Sequence, residues 1–299
     1  TNLAKQYGYV VILVEPKTPW KFQPRKLAAK NSHNVSYPKI CKKVGQFDEI
    51  LPHYFGWFLS PAECVRLHTM AKDVLWKCLQ VPEFWQCVKA FAGHRSPNFT
   101  VHDALSYYSI KHYDSPDLYH VTACFSPRDR SLAGSPYHKS EAVEKAVGKI
   151  SQFSIIGCVI TADTFSARVV LSTKEQQTLW MNDPERKRDG ARYSVEEVTR
   201  SFQRLPLADN RKSHRPDHCT HASTHITLGT RQDITPVQSK YDVQMVVNQE
   251  LSSHVLEQRF EEYTLPGNIG TAKKCSDSIW AVYFNVAHVV PAIFSGYYD

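Results

Sequence analysis

The sequence predicts an α+β fold, and three observations carry that expectation. Five short runs rich in β-branched and aromatic residues, Leu118 to Phe125, Phe153 to Ala162, Ala167 to Leu171, Trp280 to Val286 and Val289 to Phe294, are bounded by polar or turn residues, as strands are. Helical stretches with their own start signals stand before and between them. One strand pattern, an apolar run interrupted by His and two residues later by Thr, occurs twice. With 299 residues, 42% hydrophobic and 22% charged, the chain has enough apolar material for a full core in one large domain or two smaller ones.

The run Tyr7 to Glu15 is almost continuously β-branched and aromatic, the composition of a strand buried on both faces. The stretch from Pro16 to Gly45 then turns polar and lysine-rich. One strand cannot make a domain, so residues 1–48 read as the C-terminal remnant of a preceding α/β domain. No Gly-x-x-x-x-Gly-Lys-Ser/Thr phosphate loop occurs in the chain. A second unit, residues 49–299, follows. Ser60-Pro61-Ala62-Glu63 places an N-cap serine, a first-turn proline and a glutamate as in a capping box. The helix it opens carries Val65, Met70, Val74 and Leu75. Further helices are expected over Pro82 to Phe91 and Pro236 to Leu251. Residues 180–216 read as a mobile surface insertion: between Glu185 and Arg215 there are nine basic and five acidic residues and little to bury.

The repeated pattern is Tyr119-His120-Val121-Thr122-Ala123-Cys124-Phe125 and Thr224-His225-Ile226-Thr227-Leu228-Gly229. Strand side chains alternate between faces, so His120 and Thr122 project together, as do His225 and Thr227. Each pair is half of a phosphate site. The imidazole gives or takes a proton near neutral pH, and the hydroxyl hydrogen-bonds a phosphate oxygen. Two halves facing one another supply a base for an attacking water and an acid for a departing ribose oxygen, with no metal or other cofactor required.

The net charge of +7 favours anionic partners, namely nucleotides, RNA or acidic membrane surfaces. Eight cysteines without a Cys-x-x-Cys pair, several inside apolar runs, fit reduced thiols in a cytoplasmic protein. No run approaches the roughly 18 apolar residues of a membrane-spanning helix. His214, His218, Cys219, His221 and His225 have spacing compatible with zinc. Without a second pair of cysteine ligands, His225 is better explained by its strand and its twin at His120.

At these motifs the chain resembles the two-histidine phosphoesterase superfamily. Within it the chain is most similar to the 2',3'-cyclic-nucleotide 3'-phosphodiesterase family of myelin type, nearly end to end. The resemblance rests on Leu13-Val-Glu-Pro-Lys-Thr18, Leu51-Pro-His-Tyr-Phe-Gly-Trp-Phe-Leu59, Ala167-Arg-Val169, His225-Ile-Thr-Leu-Gly229 and Ala292-Ile-Phe-Ser-Gly-Tyr-Tyr298. It implies a bilobal fold with antiparallel-rich sheets around a central cleft and helices outside. It also implies metal-independent hydrolysis of 2',3'-cyclic nucleotides, or RNA 2',3'-cyclic ends, to 2'-phosphates. By that likeness His225 activates water, His120 protonates the leaving 3'-oxygen, and Thr122 and Thr227 bind phosphate. Phe125 lies against the base, and Tyr54 and Val237 lie near the site. The domain upstream in the family is a P-loop nucleotide-kinase-like domain.

Ser223 stands where relatives usually carry an arginine, on what alternation makes the face of His225; Arg231 or the basic insertion is the expected substitute. The family commonly ends in a prenylated cysteine box, whereas this chain stops at Tyr298-Asp299. Membrane association would then come through a lipid anchor that this chain does not include. The competing readings are a two-histidine RNA-end ligase or phosphodiesterase, and an RNA- or cytoskeleton-binding scaffold with a silent site.

Overall fold

The computed structural model describes residues 18–47, 52–93, 99–110, 119–125, 137–181, 223–256 and 260–298, with isolated positions before residue 18. The first half holds α1 (Pro24–Ala29), α2 (Tyr37–Gly45), β1 (Tyr54–Leu59), α3 (Pro61–Leu79), α4 (Pro82–Phe91), α5 (Val101–Tyr107), β2 (His120–Phe125) and α6 (Glu141–Ala146). The second holds β3 (Ile150–Thr161), β4 (Thr164–Val170), α7 (Lys174–Met181), β5 (His225–Thr230), α8 (Gln238–Leu256), β6 (Glu261–Thr264), β7 (Gly270–Ser276) and β8 (Ile279–Tyr297).

The strands form one antiparallel sheet in the order β2-β1-β8-β3-β4-β5, with β7 on β8 and β6 on β7. β8 is one strand where the sequence reads as two. Its first part, Ile279–Phe284, lies between β7 and β3, and its last part runs beside β1. Between them the pairing with β3 jumps from Tyr283↔Gly157 to His288↔Ile155. Across that gap its second neighbour changes from β7 to β1. The sheet curls until the two ends of that order, β2 and β5, come into contact. This is the expected α+β architecture, an antiparallel sheet with helices packed on its faces.

One face of the sheet carries Trp57, Phe153, Phe165, Val282 and Phe294, all buried in the main core with α3, α4 and α5. α3 reaches it with Leu67, Ala71, Val74, Leu75 and Cys78, a stripe at helical spacing. Its N-cap forms as expected, Ser60 Oγ accepting from the Glu63 N–H at 3.3 Å, while the Glu63 carboxylate is engaged by Arg66. A complete capping box forms at α5, between Thr100 and Asp103. On the other face α8 packs Val243 and Val246 against Val159, Ile279 and Ala281. β1, β6 and β7 were not foreseen as strands. β6 is the polar Glu-Glu-Tyr-Thr and takes its order from pairing with β7.

Two expectations need correction. In the run from Tyr7 to Glu15, the described positions Tyr7, Tyr9, Val11 and Ile12 are not in a strand, and Tyr7 and Tyr9 are 67% and 69% exposed. A doubly buried strand needs hydrogen-bonded neighbours, and among the described residues no strand pairs with this run. The polar insertion predicted over residues 180–216 begins too early, because Trp180 is buried in the core at the end of α7; residues 182–216 lie outside the described residues. The seven described cysteines are free. Burial pushes the Cys64 thiol up to about 11. Among the described residues no helix is long and apolar enough to cross a membrane.

Asp242 fastens α8 to the β3–β4 turn. It is buried, and its carboxylate accepts from the hydroxyls of Thr161 and Thr164, both at 2.7 Å, and from Gln238 Nε2 at 2.8 Å. Replacing it strands buried donors, so Asp242→Ala is expected to lower unfolding stability by about 3 kcal/mol. Urea denaturation checks this, and a loss under about 0.5 kcal/mol would mean that water satisfies those donors as well.

Candidate active site

Both His-x-Thr runs fold as strands with the expected alternation. Val121, Ala123, Ile226 and Leu228 are buried in the main core. His120, Thr122, His225 and Thr227 lie half-buried on the opposite face of the same sheet. The two motifs stand on the sheet's two outer strands, the pair that curling brings together. Tyr119, beside His120, donates its hydroxyl to the Leu228 carbonyl at 3.4 Å.

The strands share a feature beyond the tripeptide. β1 pairs Gly56 with Thr122 and Phe55 with Cys124, which leaves Ala123 bulged. β4 pairs Ser166 with Thr227 and Phe165 with Gly229, which leaves Leu228 bulged. Each strand is therefore bulged immediately after its motif threonine, and a bulge re-aims whatever follows. In β2 the effect is plain: Ala123 and Cys124 are buried in succession. Phe125, which strict alternation would put on the core side, instead pairs with Tyr54 on the face of His120 and is 48% exposed.

Around His120 the rings form a row. Tyr54 stacks on the imidazole at 4.9 Å between centroids, and Phe58, opposite His120 in the ladder, lies at 5.4 Å. Tyr54 also stacks on Tyr297 at 4.7 Å and on Phe125 at 6.3 Å. The row crosses β2, β1 and β8, and Tyr297 was not foreseen. It is the ladder partner of Tyr54, which only long-range pairing reveals.

His225 is held differently. Its Nδ1 lies 2.9 Å from the Ser223 carbonyl oxygen. A carbonyl only accepts, so Nδ1 carries the hydrogen and the neutral ring keeps its lone pair on Nε2. Ser223 thus serves through its backbone. Its side chain was expected on the strand face of His225, but β5 begins at His225 and Ser223 lies in the turn before it. Directly opposite His225 is Arg168, 1% exposed and held by the Glu250 carboxylate of α8 at 2.7 and 3.1 Å. Tyr283 donates its hydroxyl to the same carboxylate. Burial alone would lower the Arg168 pKa, but Glu250 and Tyr283 more than offset it and hold the guanidinium charged. Arg231, expected to replace a missing cation, pairs with Asp163 at 2.9 Å.

The structure thus brings His120, Thr122, Phe125 and Tyr54 together on one outer pair of strands and His225 with Thr227 on the other. Val237 is exposed immediately before α8, the helix that packs on β4 and β5. His214, His218, Cys219 and His221 lie outside the described residues. Among the described residues no group of three or more His, Cys, Asp or Glu is placed to hold a metal.

Residues 51–299 match the family model of 2',3'-cyclic nucleotide 3'-phosphodiesterase (CNPase), and the chain belongs to this family. It is 28% identical over 298 residues to the 2',3'-cyclic-nucleotide 3'-phosphodiesterase of Rattus norvegicus, covering 99% of this chain and 63% of that protein. The Mus musculus protein is 27% identical with the same coverage, and that of Pongo abelii is 27% identical over 300 residues. The chain therefore spans less than two thirds of the length of these relatives.

Gly56 makes the β2 bulge possible. A Cβ there would lie 2.5 Å from the Val121 carbonyl oxygen, so the two backbones approach only because position 56 has no side chain. Gly56→Ala is expected to lower stability by about 1–3 kcal/mol, as overpacking does. Urea unfolding tests it; an unchanged midpoint would show that β2 has room to shift.

Proposed function

We propose that this chain hydrolyses 2',3'-cyclic nucleotides to 2'-phosphates, as a cyclic phosphodiesterase of the myelin type, and that residues 49–299 are its catalytic unit. The observation that carries the reading is the pair of outer strands, each presenting His and Thr on one sheet face and each bulged after its threonine. The family match over residues 51–299 supports it.

In this reading His225 is the base. With Nδ1–H bound to the Ser223 carbonyl, Nε2 takes a proton from water as the water oxygen bonds to phosphorus. His120 is the acid. As the bond from phosphorus to the 3'-oxygen breaks, the imidazolium donates its proton to that oxygen, and the phosphate stays on the 2'-oxygen. The face of Tyr54 holds the His120 ring plane and suits a cationic ring. Thr122 and Thr227 donate hydroxyl hydrogens to the oxygens on which charge builds. Phe125, on the site face by virtue of the bulge, offers its ring to the base.

His120→Ala and His225→Ala are each expected to lower kcat by about 10²-fold or more for a cyclic mononucleotide, with the fold retained because both residues face away from the core. The wild-type rate should be bell-shaped in pH, requiring one protonated and one neutral group. Near-wild-type turnover in either folded variant would overturn the assignment.

Activity should also survive exhaustive chelation. If chelation abolished it and zinc restored it, the cluster from His214 to His225 would be a ligand set.

A further inference from the structure

The sheet face that carries His225 also carries a buried ion pair. α8 turns Val243 and Val246 onto Val159, Ile279 and Ala281, and the next position at that helical spacing, 250, should be apolar as well. It is Glu250 instead, and it holds Arg168 of β4, 1% exposed, at 2.7 and 3.1 Å. Apolar side chains of similar volume in place of such a pair are often neutral or stabilising, so stability alone does not account for it.

Its position points to another role. Arg168 and His225 are ladder partners, which puts their Cβ atoms about 4.5–5.5 Å apart on one face. At such a distance an unbalanced cation disfavours an imidazolium, and an unbalanced anion favours it. The elements packed on β5 are β4, α8 and β2. β4 brings Arg168, α8 brings Glu250, and β2 brings His120 and Tyr119, whose hydroxyl is engaged at the Leu228 carbonyl. Behind the pair, Tyr283 donates its hydroxyl to Glu250, and its ring lies 5.4 Å from Arg168 and 5.2 Å from Lys273. Lys273 is paired with Glu262 at 2.7 Å. Cys275 stands beside Glu250 and Arg168, and burial pushes its thiol up to about 12, which keeps it neutral. The fixed charges that these elements set beside His225 are thus one cation and one anion, matched.

We propose that the Arg168–Glu250 pair is a positioning unit for His225: it clamps α8 to the strand beside the imidazole, and its matched charges set the pH range in which that ring is the neutral base. The base role rests on the phosphodiesterase reading above; the matched field rests on the pair alone.

The test uses the full chain and two readouts. One is kcat/KM against pH for a cyclic mononucleotide, whose acidic limb reports the base of the free enzyme. The other is the midpoint at which the His225 ring titrates by NMR, its signal assigned by loss in His225→Gln. E250Q keeps the shape of the side chain and leaves Arg168 unbalanced, so limb and midpoint should both fall by about one pH unit. R168M leaves Glu250 unbalanced, and both should rise by about as much. R168M/E250M removes both charges and should return them to the wild-type position. A merely structural pair would lower kcat/KM at every pH and leave the limb in place. An unmoved limb and midpoint in a folded single variant overturn the proposal, as does movement in one direction in both, or a double variant that stays displaced. If one single variant does not fold, the other decides together with the double. If wild type turns over no cyclic mononucleotide, the phosphodiesterase reading fails, and the pair is judged on the His225 midpoint alone.

Discussion

The geometry of this molecule depends on the backbone hydrogen bonding of one strand. β8 is 19 residues long and pairs with β7, β3 and β1, and every other strand reaches it directly or through a neighbour. β2 is anchored to it through β1, and β5 through β4 and β3. The distance between the motif strands is therefore set by how sharply the sheet curls about β8. At residues 284–287 β8 is unpaired with β3, and across them its other neighbour changes from β7 to β1. Gly157 faces Tyr283 at the edge of that stretch, and a Cβ there would lie 1.9 Å from the Val282 carbonyl oxygen.

Much of this was legible because strand alternation is a local rule. Val121 and Ile226 inside, His120 and His225 outside, follow from period two alone. The fold class followed from strand runs and from a helix cap that forms where Ser60 predicted it. Bulges were not legible, because a bulge is a mismatch between two strands and neither strand shows it alone. Phe125 entered as a site residue by resemblance, and alternation by itself would have turned it into the core. Ser223 failed for a related reason: period two holds only within a ladder, and the ladder residue is His225. The contribution of position 223 is a carbonyl, which any residue there supplies. Arg168 lay in view within Ala167-Arg168-Val169, but its partner Glu250 is 82 positions away, a separation that local patterning does not span.

The electrostatics of the site face follow from these positions. Arg168 is opposite His225, yet its charge is spent on Glu250 beneath α8, and Arg231 is paired with Asp163. Position 223, two residues before the second histidine, is a serine. Around the two histidines the described side chains are rings, hydroxyls and ion pairs already matched. On the proposed reaction this division has a kinetic meaning. A fixed cation beside the phosphate attracts the substrate and the transition state nearly alike, and such uniform binding lowers KM without raising kcat. Hydroxyls aimed at oxygens that gain charge, and imidazoles that move protons only as bonds change, act mainly on the transition state. On that reading, the described residues around the histidines act through the second set, which serves the chemical step more than ground-state affinity.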